Sequence, residues 1–158
     1  LSELKHKNKE FIKINDFLRK KNIFTKIHNT DYLNNEHLNY LKKCRVGAIN
    51  VAPEFGVLET RSFIKILKDN KLNEILKNFL KFSYDSKKWE KWAIDKNKIS
   101  KYKCAELAGH YVFSTKQFQQ IKSDADLYLR KRDIHLNTLL KNSVKYSIYR
   151  YIKALKLT

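Results

Sequence analysis

Apolar residues recur at near-helical spacing over residues 3–21, where Leu4, Phe11, Ile14, Phe17 and Leu18 stand among lysines; this predicts an amphipathic helix ending near Asn22. The run Ile23-Phe24-Thr25-Lys26-Ile27 predicts a short strand, and His28-Asn29-Thr30-Asp31-Tyr32 reads as a loop after it. Asn34 or Asn35 can cap a second helix holding Leu38, Leu41 and Cys44, Gly47 lies just beyond it, and Ala48-Ile49-Asn50-Val51 predicts the next strand. The crossover from Ile27 to Ala48 is long enough for the two strands to run parallel.

From Val57 onward the period is helical. Phe63, Ile64 and Leu67, then Leu72, Ile75, Leu76, Phe79 and Leu80, keep one face apolar with a break near Asn70. Leu136, Leu140, Val144, Ile148, Ile152 and Leu155, spaced near four, predict a last helix. Ser114 or Thr115 can cap a helix, and only Tyr111-Val112-Phe113 is locally strand-like. Trp89 and Trp92 fall near enough to share a broad helical face, which favours core packing over stacking on bases. The pattern describes a two-strand α/β part followed by a helical extension.

Composition narrows the classes. The chain has 158 residues with 42% hydrophobic content, enough for a real core. Its net charge of +18 would favour a polyanion if gathered on one face, but lysines are spread from Lys5 to Lys156. Arginine, the residue of planar phosphate and base contacts, is confined to Arg19, Arg45, Arg61, Arg130, Arg132 and Arg150, so nucleic acid is not the expected partner. Cys44 and Cys104 stand alone without metal-like spacing, which points to structural thiols in a reducing compartment. No apolar run approaches a membrane span and no leader opens the chain, so a cytoplasmic protein without a membrane partner is expected. A start at Leu1, straight into a helical pattern, suggests a fragment of a longer chain.

Special backbone chemistry concentrates in residues 45–61, which hold the only proline, Pro53, and two of the three glycines, Gly47 and Gly56. Asn50 and Glu54 there could hydrogen-bond sugar hydroxyls, and a helix opening with Glu59 could hold an anion; equally, Pro53 and Gly56 shape a turn while Glu54 and Glu59 favour the helix's positive end. His28, Asn29 and Asp31 follow a strand's carboxyl end, where parallel folds place ligands, so His28 could bind a metal or act as a base; a loop histidine beside an Asx turn is the plainer alternative. His110 beside Gly109 could approach a ligand closely or simply pack with Tyr111. His6 and His37 lie in exposed helical patterns and His135 near the last helix, so a three-ligand zinc site would need donors from elsewhere. There is no glycine-rich phosphate loop, HExxH or GxSxG.

Taken together, His28-Asn29-Thr30-Asp31-Tyr32-Leu33, Asn50-Val51-Ala52-Pro53-Glu54-Phe55-Gly56, Trp89-Glu90-Lys91-Trp92 and Gly109-His110-Tyr111-Val112-Phe113-Ser114 resemble the non-catalytic subunit family of class II D-tagatose-1,6-bisphosphate aldolases, over about residues 5–125. The resemblance implies an α/β fold, a partial TIM barrel: Phe24–Ile27 and Ala48–Val51 would be its last two parallel strands. Residues 1–69 would be the βα units, and residues 70–158 a mainly helical extension packed on them. In the catalytic relatives a zinc-binding histidine and an asparagine occupy the positions that His28 and Asn50 match. Here Asn29, Thr30 and Asp31 replace phosphate-cradling glycines and Pro53-Glu54-Phe55 replaces an Asp-Thr turn. A phosphate at that position would lose donors worth about 1.5–3 kcal/mol each and meet a carboxylate.

The implied function is an accessory, non-catalytic subunit in carbohydrate metabolism that stabilises a catalytic aldolase-like partner and binds a sugar or sugar phosphate through His28, Asn29, Asp31, Asn50, Glu54 and His110, with no cofactor expected. One alternative is a zinc-dependent sugar-phosphate lyase or epimerase, with His28 on the metal and Glu54 or Glu59 as acid/base. A basic nucleic-acid-binding module is the second. Two strands cannot close a barrel, so either further strands precede them or the chain associates.

Overall fold

A computed structural model of the chain describes residues 2–96 and 98–156, with side chains from Lys9 onward, so the expectations for Leu4 and His6 as side chains lie outside the described residues. The elements are α1 (Ser2–Lys20), β1 (Lys26–Ile27), α2 (Asn35–Lys43), β2 (Ala48–Ile49), α3 (Pro53–Asp69), α4 (Asn73–Asp85), α5 (Lys101–Ala108), a 3-10 turn (Gly109–Val112), α6 (Lys116–Arg130) and α7 (Leu136–Leu155).

This corrects the expected fold class. The chain is 67% helical with 3% strand, a mainly helical fold and not a partial TIM barrel of two βα units. The strands do pair in parallel, with Lys26 opposite Ala48 and Ile27 opposite Ile49. Each is only two residues long: Ile23 N–H is drawn back to the Leu18 carbonyl, and Ile23 and Phe24, expected inside the first strand, are 51% and 58% exposed. Residues 111–113 also depart from expectation: Tyr111 and Val112 belong to the 3-10 turn, and Phe113 follows it. Trp89 and Trp92 lie in turns after α4. Trp89 is buried, donating from Nε1 to the Tyr84 carbonyl at 2.8 Å and stacking on the Tyr84 ring, while Trp92 is exposed.

Among the described residues, the side chain of the helix's own N-cap residue starts α2, α5 and α6. Asn34 accepts from His37 N–H, Ser100 from Lys103 N–H and Thr115 from Phe118 N–H. Four helix ends are closed without glycine: Asn22, Arg45, Lys71 and Asp133 take positive φ after α1, α2, α3 and α6. In each case the next residue's N–H returns to a carbonyl five residues back, Ile23 to Leu18, Val46 to Leu41, Leu72 to Leu67 and Ile134 to Leu129. All eight of those residues are apolar, so each cap also brings two hydrophobic side chains together. A side chain in the left-handed region costs about 1–2 kcal/mol. Lys71→Gly is therefore expected to stabilise by about 0.5–1 kcal/mol after glycine's greater freedom in the unfolded chain is subtracted; a raised urea midpoint checks it, and an unchanged or lowered one refutes the strain.

The chain divides into two compact units, residues 1–54 with 146–158, and residues 55–145. The second holds the larger core, in which Phe63 packs edge-on against Phe79 at 5.1 Å and Phe118 at 5.5 Å among Ile64, Leu67, Leu129 and Leu136. Gly109 lets the 3-10 turn press against Thr60 and Phe79, where a Cβ would come within 2.7 Å of Thr60 Cγ2. In the first unit Leu38 and Cys44 are fully buried, and buried Asn15 donates to the Cys44 carbonyl at 2.8 Å while accepting from Thr25 Oγ1 at 2.6 Å. Both cysteines are free and buried. Among the described residues no helix is long and apolar enough to cross a membrane.

Candidate functional site

The parallel pair sends both chain exits the same way. His28 leaves β1 and Asn50 leaves β2, and their side chains meet at 3.4 Å between His28 Nδ1 and Asn50 Nδ2, both residues exposed. The backbone beneath is stitched: the Asn50 carbonyl accepts from Thr30 N–H at 3.2 Å and from Thr30 Oγ1 at 2.8 Å. Asn29 is exposed and held at φ 58°.

Asp31 has a different task from the Asx turn considered above. Its Oδ1 accepts from Ala52 N–H at 3.1 Å and Glu54 N–H at 2.8 Å, so a carboxylate from a remote loop supplies the cap of α3. With Pro53 in the first helical position the helix opens there, earlier than the start expected near Val57 and Glu59.

Glu54 is only 5% exposed, and both of its oxygens are occupied. Oε2 accepts from Tyr32 N–H and from the Tyr151 hydroxyl, each at 2.5 Å; Oε1 accepts from Ser147 Oγ at 2.9 Å and from Arg150 at 3.1 Å. Tyr151 Oη also lies 3.1 Å from the Thr30 carbonyl, but its single proton goes to the closer, charged acceptor. Arg150 donates as well to the Leu33 carbonyl at 2.5 Å and lies over the Tyr151 ring. Burial alone would raise the Glu54 carboxyl, but the bonds from Tyr151, Tyr32 and Ser147 and the Arg150 charge hold it below the usual range. Burial and the neighbouring carboxylate push the Tyr151 hydroxyl upward. Glu54 is thus the fully bonded centre of a buried network, and the exposed polar surface at the strand exits consists of His28, Asn29 and Asn50.

Glu59 and His110 belong to the second unit. Glu59 is half-buried on α3. The His110 ring lies 4.1 Å from that of Tyr111 and against Gly56, where a Cβ would fall 2.6 Å from the imidazole. Burial, then the Lys91 charge, lowers its basicity. Its buried Nδ1 has no hydrogen-bond partner among the described residues. Among the described residues no three His, Cys, Asp or Glu side chains are grouped to hold a metal ion.

Sequence reasoning missed Thr30, Ser147, Arg150 and Tyr151. The stripe drawn through Val144, Ile148 and Ile152 is rotated in the structure: Ser147 and Tyr151 are buried while Ile148 is 39% exposed. A readable signal was present, since Leu140, Ser147 and Tyr151 stand seven and then four residues apart on one helical face.

None of the protein-family models, curated proteins or solved structures compared with the chain matches it.

Proposed function

We propose that the chain is an accessory, non-catalytic component of a cytoplasmic sugar-processing system, similar in role to the tagatose-bisphosphate aldolase accessory subunits. It binds sugar hydroxyls at the exits of its parallel strand pair and stabilises a catalytic aldolase-like partner. The observation that carries the reading is the exposed His28 and Asn50 pair, set on neighbouring parallel exits over a stitched backbone. With Asn50 Nδ2 and His28 Nδ1 on each other, His28 Nε2 and the Asn50 carboxamide oxygen are left for sugar hydroxyls. Support for a binding rather than a catalytic role comes from Glu54: with four donors on it, a depressed pKa and 5% exposure, it is a poor acid/base.

Calorimetric titration of the chain with galactitol, D-tagatose and N-acetylgalactosamine is expected to show saturable binding of at least one of them. The double variant His28→Ala, Asn50→Ala is expected to lose at least about fivefold in affinity, two hydrogen bonds being worth about 1–3 kcal/mol together. A class II aldolase catalytic subunit is expected to inactivate more slowly on heating when the chain is added. Stoichiometric zinc that disappears in His28→Ala would replace this reading with the lyase alternative, and unaltered sugar affinity in the double variant would remove His28 and Asn50 from the site.

A further inference from the structure

A second surface of the first unit carries chemistry that the strand exits lack. Between α2 and the last turns of α7 runs a groove of about 480 Å³, lined by Asn35 and Asn39 on one side and by Tyr146, Tyr149, Arg150 and Lys153 on the other. The helical period explains the lining. Asn35 and Asn39 are one turn apart on α2, and Tyr146, Tyr149, Arg150 and Lys153 follow the three-four spacing of one α7 face.

Its lining suits an anion. No carboxylate lines it, while two cations and two carboxamides do. Tyr146 is 80% exposed and Tyr149 56%, so two aromatic residues stand open to solvent beside those charges. Arg150 is already immobilised by its bonds to the Leu33 carbonyl and Glu54 and by the Tyr151 ring beneath it, so its remaining N–H groups can meet an anion with little further loss of freedom. Lys153 is exposed and makes no ion pair among the described residues.

We propose that this groove binds a small phosphate monoester carried on a ring, with the phosphate on Arg150 and Lys153, the ring face against Tyr146 and Tyr149, and Asn35 and Asn39 on the ring's polar edge. The volume is that of a small-molecule site. Guanidinium and ammonium donors match phosphate oxygens, and a tyrosine ring accepts the flat face of a base or the C–H face of a sugar. The proposal does not depend on the sugar-binding role, because His28 and Asn50 do not line the groove.

The test is a titration of the chain, followed by NMR or calorimetry, with AMP, glucose 6-phosphate, inorganic phosphate and a series of oligothymidylates. Either ring ester is expected to bind at least about tenfold more tightly than inorganic phosphate; AMP alone marks the ring as a base, glucose 6-phosphate alone as a sugar. Lys153→Ala is expected to weaken ester binding about tenfold or more and Tyr146→Ala about fivefold or more. Both groove positions are exposed, so these variants fold; Arg150 is left intact because its loss would also loosen Glu54. The proposal is overturned by equal affinity for inorganic phosphate and both esters, by undiminished binding in Lys153→Ala or Tyr146→Ala, or by no saturation up to about 10 mM. Affinity that climbs with oligonucleotide length would make the surface a tracker of nucleic-acid strands and overturn it equally.

Discussion

Replacing Glu54 by alanine is expected to cost about 3–5 kcal/mol, one of the two largest losses any single substitution here produces. The carboxylate is buried and receives Tyr32 N–H, the Tyr151 and Ser147 hydroxyls and the Arg150 guanidinium. Its removal takes the charged partner from a part-buried cation and the acceptor from Tyr32 N–H and the Ser147 hydroxyl, while the Tyr151 hydroxyl can turn to the Thr30 carbonyl. A urea titration followed by circular dichroism measures the loss. The pH dependence gives a second reading. Because the folded carboxyl lies below the usual glutamate value of 4.5, its contribution is present above that value and disappears as the pH falls through the depressed folded one. The parent should therefore lose stability below about pH 4.5 more steeply than Glu54→Gln. Parallel acid limbs for the two proteins, together with an unmoved urea midpoint in Glu54→Ala, would show that the network contributes nothing.

The other large effect belongs to the second unit. Phe63 is wholly buried between Phe79 and Phe118, and truncation to alanine removes both edge-to-face contacts and leaves a cavity in a core of well-packed side chains. The expected cost is about 3–5 kcal/mol, with a lowered denaturant midpoint and an unchanged slope if the native fold survives. Phe63→Leu, which refills most of the space, should recover more than half of it. Equal destabilisation by the two variants would mean that the aromatic edges, rather than the volume, hold this core.

Much of the helical architecture was readable because it follows from local rules. Asn34 and Thr115 cap the helices they were expected to cap, the apolar period over residues 63–80 yields the packed faces of α3 and α4, and the crossover between Ile27 and Ala48 does place the strands parallel. What failed depended on partners remote in sequence. A five-residue run becomes a full strand only where a neighbouring strand takes its hydrogen bonds, and Ile23 N–H is instead taken by the Leu18 carbonyl at the close of α1, so the barrel reading gave way to a two-residue ladder. The start of α3 was set by Asp31, more than twenty residues upstream, which no window around Pro53 contains. At the site, the exposed His28 and Asn50 were legible as polar residues at strand ends. The role of Glu54 was not, because its partners on α7 are 93 to 97 residues away and include a tyrosine and a serine that look like ordinary breaks in an apolar stripe.

The buried network around Glu54 also sets an order of events on the ribosome. Thr30, Tyr32, Leu33 and Glu54 emerge early, but the groups that satisfy them, Ser147, Arg150 and Tyr151, are translated almost a hundred residues later. Until then the carboxylate has only the Tyr32 N–H of these donors, and water must meet its other acceptor positions. The nascent first unit therefore waits for its closing helix, whereas residues 55–145 hold their own aromatic core and can condense beforehand.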